Sequence, residues 1–200
     1  GADPIDYMLS VVIDSCVFRG NSADWDGGAI SLSYCTAEIR NSTFHSNYVS
    51  AMYNGQISLK ASAGVDMRHS IVAFGAGGIY GSEDLVLAAF ECNDVFSNGS
   101  LSGDYGGWIP DQTGLNDNIS ADPIFCSSPE DLSISTTSPC AAANSSCGQT
   151  IGRYGPGCGP DLALTGIGIS GTSQPAGTNI SAWFTEKNAD ASTVMYPLSD

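Results

Sequence analysis

One nine-residue phrase occurs twice in this chain. Ile13-Asp14-Ser15-Cys16-Val17-Phe18-Arg19-Gly20-Asn21 returns 26 residues later as Ile39-Arg40-Asn41-Ser42-Thr43-Phe44-His45-Ser46-Asn47. A third, weaker copy runs from Met67 to Gly75 with Val72 at the phenylalanine position, and a fourth runs from Phe90 through Val95 to Asn98. The successive offsets are 26, 28 and 23 residues. A second register advances with the first, since Ile30-Ser31-Leu32 recurs 27 residues on as Ile57-Ser58-Leu59. A unit this short cannot bury an apolar face by itself and must stack on its neighbours. Leucine-rich repeats share the period, but their leucine pattern and helical back are missing. Propeller blades need longer units with antiparallel hairpins. The repeat therefore predicts a parallel β-solenoid, an all-β fold of about four to six coils. Equal offsets predict two inward ladders, Ile13-Ile39-Met67-Phe90 and Phe18-Phe44-Val72-Val95. Asn21, Asn47 and Asn98 fall just past a strand, where a residue tolerating left-handed backbone would turn the corner. The pairs Gly27-Gly28 and Gly77-Gly78 mark another bend.

Composition agrees with strands and tight turns. Only 14% of the 200 residues are charged and 24 are glycine, which leaves too few helix-forming residues for long amphipathic helices. Six basic against 21 acidic residues give a net charge of −15, so nothing here neutralises a phosphate backbone or an anionic bilayer. Nucleic acid is excluded as an expected partner. No apolar run reaches the roughly 18 residues of a spanning helix, so membrane insertion by a helix is not expected. The opening Gly1-Ala2-Asp3-Pro4 has neither the basic nor the apolar region of a secretion signal, and the compartment must be read from the cysteines. Seven cysteines without a Cys-x-x-Cys pair suit an oxidising compartment, extracellular or at the cell surface. Cys126, Cys140, Cys147 and Cys158 cluster as disulfide candidates. Four cysteines allow three connectivities, of which Cys126–Cys140 with Cys147–Cys158 is the simplest. Cys16, aligned with Ser42 and Ser70, is expected to be a small, free core residue.

The pattern Ile-x-x-Cys/Ser-x-Phe-x-x-Asn-Ser-Ala followed by Gly-Gly-Ala-Ile resembles the repeats of right-handed parallel β-helix proteins of the pectate-lyase-like superfamily. It is most similar to secreted bacterial β-helix repeat proteins and polymorphic outer-membrane proteins. Ala121-Asp122-Pro123-Ile124-Phe125-Cys126, Ser138-Pro139-Cys140 and Ile151-Gly152-Arg153-Tyr154-Gly155 resemble the closing coils of such surface proteins. The resemblance covers residues 8–160 and implies a right-handed helix. It implies little about activity, because that superfamily includes lyases, hydrolases, tailspikes and adhesins.

Residues 1–160 are expected to form the solenoid and 161–200 a short β-rich tail. Candidate chemistry is sparse. Lyases of this fold use a basic residue with calcium held by carboxylates. Arg40 and Arg68 share an outer stripe, on which no Asp cluster is expected. Asp24 and Asp26 sit in a turn and fall short of the oxygens that calcium requires. His45 and His69 have different repeat offsets, so no histidine pair and no metal or cofactor site is expected. Five Asn-x-Ser/Thr sequons begin at Asn41, Asn98, Asn118, Asn144 and Asn179. Trp25, Trp108 and Trp183 would stack on sugars or pack loops onto the solenoid.

The expected function is therefore a non-enzymatic structural or adhesive module. Nothing ahead of Tyr7, Leu9 and Val11 resembles a cap, and a bare coil presents unpaired strand edge beside apolar side chains. Leu162, Leu164, Ile167 and Ile169 lie in strand-like runs able to add to such an edge on another copy, giving a filament. A brace folded back along its own solenoid is the competing expectation for that tail. The alternative functions are a carbohydrate-active enzyme and a passive section of a longer surface protein.

Overall fold

The computed structural model describes residues 9–50, 54–85, 87–99 and 103–159, together with the backbone of three strands between 162 and 197. Two compact units divide between Gly157 and Cys158.

The first unit is a parallel β-solenoid of about five turns, with no helix. Each full turn contributes one strand to each of three columns. The first column stacks β1 (Leu9–Asp14), β5 (Cys35–Arg40), β9 (Gly64–Arg68) and β12 (Leu87–Glu91). The second stacks β2 (Val17–Arg19), β6 (Thr43–His45), β10 (Ile71–Ala73) and β13 (Asp94–Phe96). A minor column holds β3 (Ser22–Ala23) and β7 (Tyr48–Val49). The last full column stacks β4 (Ile30–Ser33), β8 (Ile57–Lys60), β11 (Ile79–Gly81) and β14 (Tyr105–Gly107).

Both expected ladders are present. Ile13 pairs with Ile39, Ile39 with Met67, and Met67 with Phe90. Phe18, Phe44, Val72 and Val95 are likewise in register. Phe18 and Phe44 stack face to face with ring centres 4.8 Å apart, the spacing of adjacent strands. Ile30-Ser31-Leu32 lies on Ile57-Ser58-Leu59 as the repeat requires. Leu59, Met67, Val72 and Ile79 fill the interior with no solvent exposure.

The corners differ from expectation in an instructive way. The residues with positive φ at this corner are Gly20, Ser46, Phe74 and Ser97, each one place before the position assigned to the asparagine. The asparagines instead tie turn to turn through their side chains. Asn47 Oδ1 accepts from the Asn21 backbone N–H and from Asn21 Nδ2. In the third turn Gly75 stands where the others have Asn, and Gln56 fills the vacancy. Gln56 Oε1 accepts from Asn47 Nδ2 at 2.7 Å, and its Nε2 donates to Asn98 Oδ1 at 2.8 Å. A Cβ on Gly75 would lie 2.3 Å from Gln56 Cγ, so glycine here and glutamine there require each other. A second ladder runs along the preceding corner. Ser42 Oγ accepts from Cys16 N–H, Ser70 Oγ from Ser42 N–H, Asn93 Oδ1 from Ser70 N–H, and Asn118 Oδ1 from Asn93 N–H. Cys16 is free as expected but half-buried rather than in the core, and its backbone N–H joins this polar ladder.

Residues 119–157 are not closing coils. They fold back over the outer face of the second column as a brace. On β10, Val72 points into the solenoid while Ile71 and Ala73 point out and pack with Ile134, Cys140, Ala141 and Ile151 of the brace. Gly152 N–H donates to the His69 carbonyl, and Arg153 N–H donates to Thr43 Oγ1. A side chain at Gly152, where φ is 99°, would strike Ile71. Within the brace β15 (Phe125–Ser127) pairs antiparallel with β16 (Asp131–Ser135), and β17 (Pro156–Cys158) completes a three-stranded sheet.

The second unit is an antiparallel meander of β18 (Leu162–Ile169), β19 (Ala182–Asn188) and β20 (Thr193–Pro197). The two expected strand-like runs of the tail are one strand, with an irregularity between Leu164 and Gly166.

The Gly75–Gln56 exchange yields a compensation test by denaturant unfolding. Gly75→Asn alone should destabilise through the clash. Gln56→Ala alone should cost about 1–3 kcal/mol by stranding buried amide groups. The double variant, which rebuilds an asparagine ladder, should be more stable than either. Additive losses would show that the two residues do not share one space.

Candidate functional site

The two ends of the solenoid are unlike. β1, β2, β3 and β4 are each terminal in their sheets, so one end presents four strand edges among the described residues. Leu9 and Val12 are 74% and 60% exposed there, and Val11 and Val17 are also exposed. Tyr7 lies outside the described residues. At the other end a fifth turn swaps its first strand for the polar loop 111–118. Asn116 accepts from Cys92 N–H, while Ile119 both donates to the Asn93 carbonyl and accepts from Val95 N–H. Ile109 packs against the interior. Among the described residues the β1–β4 end is thus apolar with unpaired edges, and the other end closes its first two columns with backbone hydrogen bonds. For the expected tail residues, Leu162, Leu164, Ile167 and Ile169 all lie in β18. One edge of that strand is taken by β19.

A groove of about 500 Å³ lies where the brace meets the first turn, lined by Phe18, Arg19, Asn21, Glu130, Leu132 and Tyr154. Beside it, Arg19 donates to the Pro129 carbonyl and buried His45 faces the brace. His45 Nε2 is 2.7 Å from Ser128 Oγ, with the rings of Phe74 and Phe125 edge-on to the imidazole. Burial and then the Arg19 charge hold the imidazole below its ordinary pKa, so it is neutral near pH 7. A serine on a neutral imidazole supplies two members of a nucleophilic triad. The third would be a group orienting Nδ1, and that atom has no hydrogen-bond partner among the described residues. As built, the pair latches the β15–β16 hairpin to β6. The sequence holds no signal for it, since 83 residues separate the partners.

The cysteines depart from expectation. Cys92 bonds Cys147 across 55 residues, and Cys140 is free. Neither the Cys126–Cys140 nor the Cys147–Cys158 bond exists. Cys126 and Cys158 are both disulfide-bonded. Nearest-neighbour pairing fails because the brace doubles back, bringing its loop at Cys147 onto a solenoid corner. Buried Cys140 instead donates its thiol to Asp94 Oδ2 at 3.1 Å.

The arginine stripe carries acidic partners. Arg40 pairs with Glu38 and Arg68 with Asp66, because side chains two apart on a strand share a face, and Arg68 also pairs with Glu91, its register partner on β12. Every partner is a carboxylate of the same column, so neither arginine is set apart as a base. Asp26 is held by Lys60 and Asn54, and those contacts keep its carboxyl below the usual range. Trp25 and Trp108 are 78% and 68% exposed and so do not pack loops down; the Trp183 side chain lies outside the described residues. Asn118 is buried, and both its side-chain nitrogen and that of Asn98 donate within the ladders, which explains those two sequons as ladder positions.

A scan of protein-family models, a search of curated proteins and a search of solved structures each return no match to this chain.

Asp94 generates a pH prediction. Burial pushes its carboxyl up to about 7, against the bonds from Ala121 N–H and the Cys140 thiol, with Asp104 and Asp122 adding repulsion. An unfolded aspartate titrates near 3.8. Between these values the folded state holds a proton that the unfolded state has lost. This contribution to stability is therefore complete below pH 4 and disappears as pH rises through 7. Asp94→Asn should remove that fall. Melting temperatures from pH 4 to pH 8 would show the wild type losing stability relative to the variant; parallel curves would place Asp94 in water.

Proposed function

We propose that this protein is an extracellular, non-enzymatic structural and adhesive module that joins copies of itself through the open end of its solenoid. The observation that carries the reading is the contrast between that end, with its four strand edges and exposed Leu9, Val11 and Val12, and the end closed by Ile119 and Asn116. Unpaired edges beside apolar side chains are the ordinary template for strand addition. The occupant we assign is β18 of a second copy, whose edge away from β19 would extend the first column at β1. Such a contact is heterologous and so propagates head to tail. Disulfides support an oxidising compartment. The likeness of the repeat to right-handed β-helix surface proteins supports display outside the cell. Carbohydrate is a second reading, favoured by the groove at Arg19 and Glu130 and by exposed Trp25 and Trp108.

The test is particle size. Light scattering should show concentration-dependent growth of the full chain, abolished in Leu9→Lys/Val12→Lys and in a chain ending at residue 159, and retained in Trp108→Lys. A full chain that stays monomeric, or a lysine variant that grows equally, would overturn the proposal.

A further inference from the structure

His69 and Cys92 occupy the same corner of successive turns. Each follows one of the paired residues Arg68 and Glu91, and each has left-handed backbone, with φ of 48° and 56°. The stacking that aligns Ile39, Met67 and Phe90 therefore sets an imidazole directly against a sulfur. The brace brings a second sulfur to them, that of Cys147. The imidazole nitrogen and both Sγ atoms lie within 4.8 Å of one another. Cys92 is buried while His69 and Cys147 are half-buried, so the cluster has one side open to water. No part of the assembly reading uses it.

Two sulfurs and one imidazole are the donor set of a borderline-soft divalent cation. Zinc–sulfur and zinc–nitrogen bonds of about 2.3 and 2.0 Å around a tetrahedral ion place such donors roughly 3.5–3.8 Å apart. The spread seen here is within one side-chain adjustment of that. In the structure the sulfurs bond each other and cannot ligate. We propose that His69, Cys92 and Cys147 form a zinc site gated by the redox state of the Cys92–Cys147 disulfide. A dithiol reductant supplies two electrons and two protons, opening the disulfide to two thiols and leaving as its own cyclic disulfide. Zinc then displaces the two thiol protons and takes both thiolates and the neutral imidazole, with water in the fourth position on the open side. Either linkage fastens the brace to the same corner, one by a covalent bond and the other through the metal. The site therefore lets the brace stay pinned when the disulfide is lost.

The full chain, reduced with a dithiol and desalted under argon, is titrated with Co²⁺ as a spectroscopic probe. One equivalent should give thiolate-to-cobalt charge-transfer and tetrahedral ligand-field absorption, displaced by Zn²⁺. Cys92→Ser and Cys147→Ser should lose the charge-transfer band, whereas Cys126→Ser/Cys158→Ser and Cys140→Ser should keep it. His69→Ala should move the midpoint by at least about the tenfold that even an outer-shell change costs. As a second readout, Zn²⁺ should raise the melting temperature of the reduced wild type and not that of His69→Asn, with far-UV circular dichroism confirming the β-fold of each. Absent absorption in the reduced wild type, equal bands in Cys92→Ser, or equal binding by the unreduced protein would each overturn the proposal.

Discussion

At two corners of this solenoid the backbone leaves the strand column and turns, so some N–H groups lose the partner a strand would supply. Buried and unpaired, each such group would cost on the order of 1–3 kcal/mol. The next turn answers with a side-chain oxygen: Ser42, Ser70, Asn93 and Asn118 along one corner, Asn47 and Asn98 along another. These ladders lock one turn on the next with a directional interaction that the apolar interior lacks. Phe44 on Phe18 would tolerate sliding by a fraction of a residue, whereas Ser70 Oγ on Ser42 N–H would not. The ladders also explain why a chain with so few charges can bury so much polar surface.

From that lock follows the second column's unusual position. Its inner face fills the solenoid and its outer face, from Thr43 to His45 and from Ile71 to Ala73, lies under the brace. A sheet buried on both faces has no free side for function. The chemistry-bearing groups gathered there, His45, Asp94 and Cys140, are consequently neutral or hydrogen-bonded and hold the brace down. What is left for recognition is the periphery: the open end, the groove at Arg19 and the corner at His69.

The repeat made strand registers legible because identical offsets demand identical positions, and Ile13, Phe18 and Ile30 found their partners as the offsets required. The role of the asparagines was half legible. Their position past the strand was visible, but the left-handed residue is the one before, since Ser46, Phe74 and Ser97 take the strained backbone. The brace left no periodic trace. Its contacts join residues such as His45 with Ser128 and Cys92 with Cys147, and no local pattern encodes a return over so many residues. Gly75 read as decay of the third copy, when it is the space that Gln56 occupies. For the candidate site, exposed Leu9 and Val11 were readable from alternation. The His69–Cys92 contact was latent in the register, hidden by the shorter third offset of 23 residues.

Native-state hydrogen exchange tests most directly the claim that side-chain ladders and the brace together make the second column the rigid centre of the molecule. The account predicts that the amides of Ser42, Ser70 and Asn93, with those of β6 and β10, exchange slowest and as one cooperative block. The amides of β4 and β8, which lie outside the cluster packed by residues 119–157, should open sooner. Exchange in which each turn opens separately, or in which β4 and β8 outlast β6 and β10, would contradict it.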